Sequence, residues 1–442
     1  MAGLSAERGA SLKTWLIPVV FAWASLFSLG IIDNSRGPVF PDLLNEFSVS
    51  DTMGGLFFFL SSFASVVHNL AFRRFLAETP PLRLVGIYTL IMAGGALIAA
   101  SANSYWVLPT AAFVLGVGFG GVGVGQNAAV QEAPAKYRGR SLGFLHAMYG
   151  TASFLAPLIV ATLQPYGWRL ALFVAAIPAG GGGLVVGIRL AIKRLRGWKR
   201  RRKAETPPVV DNVRGPNDMP QVSVGRPEQI SHPKQISHPS MTPEALARAA
   251  KIAAILVGFL VVAEISVSSR LALLARREWG VSAEAASSWL AAYFAAMTIA
   301  RFSLGFLPNV FSASRVLKVS AWLNLPFLLI GFISVALPAT AEIPIDVRLL
   351  ALVGFGFPVA VGYPMAMTRI AEIFGRETQK VTGRCVLYQA GAAMLMHFVL
   401  GTGADAVGLE PTLAVVATVS ALGAVISLGN LERAVRSEPS FS

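Results

Sequence analysis

The sequence predicts an all-α membrane protein: twelve transmembrane helices arranged as two six-helix pseudo-symmetric bundles. Three observations lead there. Only 14% of the residues are charged and 54% are hydrophobic, whereas soluble domains carry about 25% charged residues. Apolar runs long enough to cross a bilayer, which takes about 20 residues, occur six times on each side of one central break. The break itself, between Arg189 and Lys251, is polar, basic and poor in apolar side chains.

The runs lie at roughly 15–40, 52–76, 82–101, 105–131, 141–163 and 168–190, then 250–276, 283–307, 315–337, 347–371, 382–403 and 411–431. Residues 1–190 therefore form one bundle, 191–249 a linker and 250–442 a second bundle. The linker opens on a dense basic run, Lys193 to Lys203, and continues with proline, glycine, serine and a short tandem repeat, Gln229 to Pro233 and Gln235 to Pro239. Such a composition cannot bury a core, which predicts disorder.

Lysine and arginine set the expected orientation. With the linker in the cytoplasm, Arg73, Arg74, Lys136, Arg138, Arg376 and Lys380 fall on the same side, as do both termini. The opposite side holds few cations, Arg169, Arg276, Arg277 and Arg348, among the acids Asp42, Glu46, Asp51 and Glu410. This predicts a multi-pass cell-membrane protein with cytoplasmic termini. The net charge of +14 is then a matter of topology and of anionic headgroups beside the basic linker, with no nucleic-acid partner. The first apolar run continues without a small-residue cleavage site, so no cleavable signal peptide is expected.

The single cysteine, Cys385, excludes a disulfide framework. No His or Cys cluster has metal spacing, and no Gly-Lys-Ser phosphate loop occurs. Neither cofactor nor metal is expected, and the chain is not expected to be an enzyme. Two glycine-rich runs lie inside spans. Gly116 to Gly121 lets helices approach closely, and Gly180 to Gly183 is expected to loosen or kink the sixth helix.

The two halves share a pattern. Phe47-Ser48-Val49-Ser50 ends the first span and Trp279-Gly280-Val281-Ser282 the seventh. Counting back from these, Asp33 and Arg36 in one half match Glu264 and Arg270 in the other at similar depth. Val117-Gly118-Phe119-Gly120 matches Val353-Gly354-Phe355-Gly356.

On these features the sequence resembles the major facilitator superfamily, and within it the fucose–proton symporters and their sugar-transporting relatives. The stretches that carry the likeness are Gly30-Ile31-Ile32-Asp33 with Pro41; Asn127; Leu145-His146-Ala147 with Gly150 and Pro157; Ala263-Glu264; Ala300-Arg301-Phe302; and Gly401, Asp405 and Gly408. Two positions depart from the pattern. The superfamily's signature after the second helix keeps only its basic part, Arg73-Arg74, and the acid expected four residues before Asn127 is Gly123. The resemblance implies the major facilitator fold and places Asp33 on the cavity side.

Charges within a bilayer cost at least about 2.5 kcal/mol each at a helix centre and survive beside partners or water. Asp33 and Arg36 are three residues apart and can pair on one helix face. Glu264 has nothing on its own helix to neutralise it, which suits a proton carrier. Asp33 and Glu264 are thus the proton-coupling candidates. Asn127, His146, Gln389 and Arg36 are candidate solute-binding groups, and Trp289 with Tyr293, one turn apart, a candidate flat wall for a sugar ring. His397 is expected to be structural. Glu132 and Arg369 end equivalent helices and are expected to pair across a closed cytoplasmic gate. The expected function is secondary transport of a small polar solute, a sugar or polyol, by alternating access with protons or another coupling ion. The alternatives are proton-driven efflux of amphipathic compounds and a non-transporting sensor.

Overall fold

The computed structural model describes residues 2–204, 242–304, 311–336 and 343–436. Twelve long helices make up the architecture: α1 (Ala2–Phe47), α2 (Asp51–Ala71), α3 (Pro81–Ala100), α4 (Val107–Gln131), α5 (Ala135–Leu163), α6 (Trp168–Ala204), α7 (Pro243–Arg277), α8 (Ala283–Leu304), α9 (Ala313–Gly331), α10 (Ile345–Phe374), α11 (Thr378–Val407) and α12 (Leu409–Arg436). Helices are the natural solution because lipid offers the backbone no hydrogen bonds. Eleven of the twelve are long and apolar enough to cross a membrane. The exception, α8, is diluted by Ser287, Ser288 and Arg301. It packs between α5 and α10, where Ser287 is buried and Arg301 reaches Glu264.

Local chemistry marks the helix ends. Ser50, Thr242 and Ser312 cap α2, α7 and α9 by accepting from the backbone N–H three residues on. Pro81 and Pro243 sit in the first turns of α3 and α7, where a missing N–H costs nothing. Several boundaries differ from expectation: α5 begins at Ala135, and α7 at Pro243, inside the stretch assigned to the linker. Helix α1 runs past Pro38 and Pro41 to Phe47, because Val39, Phe40, Leu43 and Leu44 beyond the first proline are buried by neighbouring helices. Helix α6 continues to Ala204 and so takes in the basic run assigned to the linker. Lysine and arginine are good helix formers, and no proline intervenes before Pro207. The disorder expected of the linker falls on 205–241, outside the described residues. Helix α6 also stays helical through Gly180 to Gly183; the last of these admits Leu90 of α3, whose side chain would lie 2.6 Å from an added Cβ.

The internal repeat appears in the backbone. Gly167 (φ 91°, ψ 154°) joins α5 to α6, and Gly408 (φ 95°, ψ 156°) joins α11 to α12. At the ends of α1 and α7, Ser48 and Gly280 both adopt positive φ, 48° and 66°. Ser48 is the only described non-glycine residue in that region, and a left-handed conformation costs an L-residue about 1–2 kcal/mol. Ser48→Gly is therefore expected to stabilise the protein by up to about 1 kcal/mol, read as a higher midpoint of thermal unfolding in detergent. An unchanged or lowered midpoint counts against it.

Within each bundle small residues set the spacing. A Cβ on Gly118 would lie 2.7 Å from the Met92 backbone of α3, so α3 and α4 nearly touch. The bundles meet along α1–α7, α2–α11 and α5–α8. Each bundle also ties together the end opposite the chain termini, here the distal end, with a tryptophan, an arginine and a glutamate. Glu46 at the end of α1 accepts from Trp168 (2.6 Å) and Arg169 (2.8 and 2.6 Å) at the start of α6. In the other half the roles are exchanged: Glu410 at the start of α12 accepts from Trp279 after α7 (3.2 Å) and from Arg348 of α10.

Candidate functional site

A cavity of about 390 Å³ lies where the two bundles meet. That volume falls within the range of about 300–1,000 Å³ typical of small-molecule sites. Two ion pairs line it, one from each half. Asp33 pairs with Arg36 on α1. The second oxygen of Asp33 accepts from Tyr149 of α5 at 3.2 Å, and Arg36 donates to Ser61 of α2 at 2.9 Å. The guanidinium also lies over the rings of Phe58 (4.9 Å) and Phe119 (5.2 Å). Across the cavity, Glu264 of α7 accepts from Arg301 of α8 at 2.9 Å. Both partners are mostly buried, with 19% and 25% of their side chains exposed.

Hydroxyls and amides fill the space between the pairs. Asn34 donates to Ser153 at 3.0 Å. Ser62, Ser65, Ser268 and Gln389 also line the wall, and Thr298 donates to the Gly150 carbonyl at 3.2 Å across the bundle interface. Apolar faces come from Phe58, Phe119 and Phe294. The arrangement offers charged, donor and acceptor groups around a ring-sized space, with aromatic carbon on part of the wall.

Of the residues singled out in the sequence, Asp33, Arg36, Glu264 and Gln389 line this cavity. The others lie elsewhere. Asn127 is exposed and donates to Gly123 O of its own helix at 2.7 Å, two turns beyond the cavity residue Phe119. His146 is exposed, one turn short of Tyr149, Gly150 and Ser153, the lining residues of α5. The stripe on α5 is as expected and the depth is not. Tyr293 is fully buried, donating to the Glu264 carbonyl at 3.3 Å, and Trp289 packs against the core. They form no cavity wall. Glu132 and Arg369 do not pair. Arg369 grips Glu432 of α12 with two bonds of 2.8 and 3.0 Å and Glu372 with a third, and Glu132 is exposed. Glu264 is not unpaired, because a cation from another helix reaches it.

Three residues join the site that residue-by-residue reasoning left out. Arg301 carried a signal, being an arginine inside an apolar run. Tyr149 stands three residues after His146, on the same stripe. His397, expected to be structural, lines the cavity and stacks on Phe58 at 5.1 Å.

The distal end of the interface is sealed by polar contacts between the halves. Arg276 of α7 pairs with Asp42 of α1 at 2.6 Å, and Gln164 supports the same carboxylate at 3.1 Å. Arg277 pairs with Asp51 at 2.7 Å. Asp405 of α11 accepts from the backbone N–H groups of Asp51 and Thr52, both at 2.9 Å, at the positive end of α2. The ion pairs between halves among the described residues all lie at this end.

Comparison with known proteins agrees with this architecture. The profile of the Major Facilitator Superfamily matches residues 22–263. Two solved structures of a bacterial homolog of the human lysosomal transporter Spinster superpose on most of the chain. The inward-facing, occupied form matches with a TM-score of 0.63 at 14% identity, covering 94% of both chains. The inward-facing, unoccupied form matches with a TM-score of 0.60 at 14% identity, covering 96% of both. No curated protein matches the sequence. At 14% identity the solved structures speak for the fold, and the profile, which spans more than half of the chain, speaks for the lineage. Twelve helices in two halves, a polar cavity between them and the matching profile together assign this chain to the Major Facilitator Superfamily of membrane transporters.

Proposed function

We propose that the protein is a proton-coupled carrier of a small polar solute, a sugar or polyol, in the cell membrane. One observation carries the reading: each half contributes an acid held by a guanidinium to the same hydroxyl-lined cavity. Protonating Glu264 removes its charge and frees Arg301 for the solute or for a different partner. Asp33, held by Arg36 and Tyr149, is the second candidate. Alternating access then consists of opening the distal seal while the opposite end closes. The excess of lysine and arginine at the end bearing the termini favours placing that end in the cytoplasm, so that the sealed end faces outward. The basic residues that continue α6 would meet anionic headgroups there. Residues 191–249 join the two rocking halves.

The test is transport in proteoliposomes. Wild-type protein is expected to accumulate its solute under an inward proton gradient, up to about tenfold per pH unit at one proton per solute. Glu264→Gln is expected to keep solute counterflow while accumulation falls to simple equilibration. Accumulation that survives in this variant removes Glu264 from the coupling step. Flux of lipophilic cations without flux of sugars or polyols turns the reading to efflux.

A further inference from the structure

We infer that the solute carries a carboxylate, and that Arg270 with His397 receives it. This rests on the transport reading above and narrows its solute from neutral sugars and polyols to polyhydroxy acids.

The argument begins with the broken symmetry of the repeat. Arg270 is the second-half counterpart of Arg36. Arg36 is matched by Asp33 and Ser61. Arg270 stands six residues beyond Glu264, so the two face different sides of α7, and Glu264 is held by Arg301. Arg270 is therefore left without an acid. It is 2% exposed, and neither of its terminal nitrogens makes a hydrogen bond. Its guanidinium lies 4.2 Å from the Phe40 ring and 4.7 Å from the Phe58 ring. Ring faces attract the cation but give its N–H groups no in-plane acceptor.

Phe58 links this arginine to the cavity. It lines the cavity, and Arg36, Arg270 and His397 all lie against its ring, at 4.9, 4.7 and 5.1 Å. His397 is 5% exposed, also lines the cavity, and its Nδ1 has no hydrogen-bond partner. Asp51 is already paired with Arg277, and Arg36 with Asp33. Arg270 is left with no carboxylate of its own: Asp405, the further acid at the start of α2, is held by the backbone N–H groups of Asp51 and Thr52, and Glu264–Arg301 and Asp42–Arg276 are closed pairs.

An arginine stays charged in a protein, so the missing partner is not made good by losing a proton. A neutral sugar hydroxyl can accept its hydrogen bonds but leaves the charge. A carboxylate does both, and its two oxygens fit the guanidinium fork. Rotation of Phe58 brings the carboxylate to Arg270 and His397 while the serine-rich wall holds the hydroxyls.

The test measures binding to purified protein in detergent by tryptophan fluorescence, in chloride-free buffer. The probes are D-gluconate and D-galacturonate, each beside its neutral counterpart, sorbitol and D-galactose. The acids are expected to bind at least about tenfold more tightly, as hydrogen bonds to a charged group allow. Arg270→Gln is expected to reduce the acids to the level of the neutral compounds. Arg270→Lys keeps the charge without the fork and is expected to keep part of the preference. His397→Gln is expected to weaken the acids alone. Neutral compounds that bind wild-type protein as tightly as the acids overturn the inference. So does an acid preference that survives Arg270→Gln, or a chloride requirement for neutral solutes to bind. If Arg270→Gln does not fold, the wild-type comparison and the lysine variant decide. Proton-driven flux of neutral sugars would sink the carboxylate and leave the carrier, whereas proteoliposomes that move neither class would sink the carrier itself.

Discussion

Arg301→Ala is expected to destabilise the protein by about 3–5 kcal/mol, the cost of leaving a buried carboxylate without its cation. Glu264 sits in the interior of α7, 81% buried by its side chain (19% exposed), and accepts from Arg301 at 2.9 Å. With the arginine gone, the acid is left in a poorly solvated site without a counter-charge. Thermal unfolding in detergent reads the loss. The double variant Glu264→Gln/Arg301→Gln removes both charges and is expected to recover much of the stability without recovering proton-driven accumulation. An Arg301→Ala protein as stable as wild type would show that water already screens the pair, and the coupling proposal would lose its low-dielectric setting.

Gly401→Leu is expected to force open the distal end. Helices α2 and α11 approach so closely there that a Cβ at Gly401 would lie 2.8 Å from the Asp51 carbonyl oxygen and 2.9 Å from the Thr52 Cα. Those are backbone atoms at the start of α2, held in turn by Asp405 at 2.9 Å. Overpacking costs about 1–3 kcal/mol, which moves a two-state equilibrium by about 5–150-fold away from the sealed form. The arrangement within each half is untouched, because the clash lies between halves. A cysteine introduced at Ser268, a cavity residue on α7, reports the change through its alkylation from the distal side. The native Cys385 is fully buried and adds little background. Faster distal alkylation with loss of transport is the expected result. Unchanged alkylation would mean that the helices part without crossing this contact, and the seal would have to lie elsewhere.

Both variants depend on contacts of different legibility in the sequence. Asp33 with Arg36 was readable because three residues on a helix share a face. Glu264 with Arg301 was not, since the partner is 37 residues away on another helix. The carboxylate of Asp405 meets the start of α2 across 354 residues. His146 and Asn127 stand on helices that line the cavity but do not line it themselves, because nothing in a helical stripe says where along it a cavity begins. Trp289 and Tyr293 were read as a candidate wall for a sugar ring and instead pack into or against the core, since aromatic spacing is the same for a wall and for a core. Arg369 was matched with Glu132 for a closed cytoplasmic gate; in this form, sealed at the distal end, Glu432 of α12 holds it.

The amino-acid order alone determined the class of the molecule, its division into two related halves and the rarity of its intramembrane charges. It could do so because lipid obliges every spanning segment to close its own backbone hydrogen bonds, which makes each span a local property. Only the tertiary structure decided which charges meet, how deep the cavity reaches and which arginine is left without an acid. Those depend on the rotation and depth of each helix, set by close contacts such as Gly118 on Met92 and Gly401 on Thr52, and no single span carries that information.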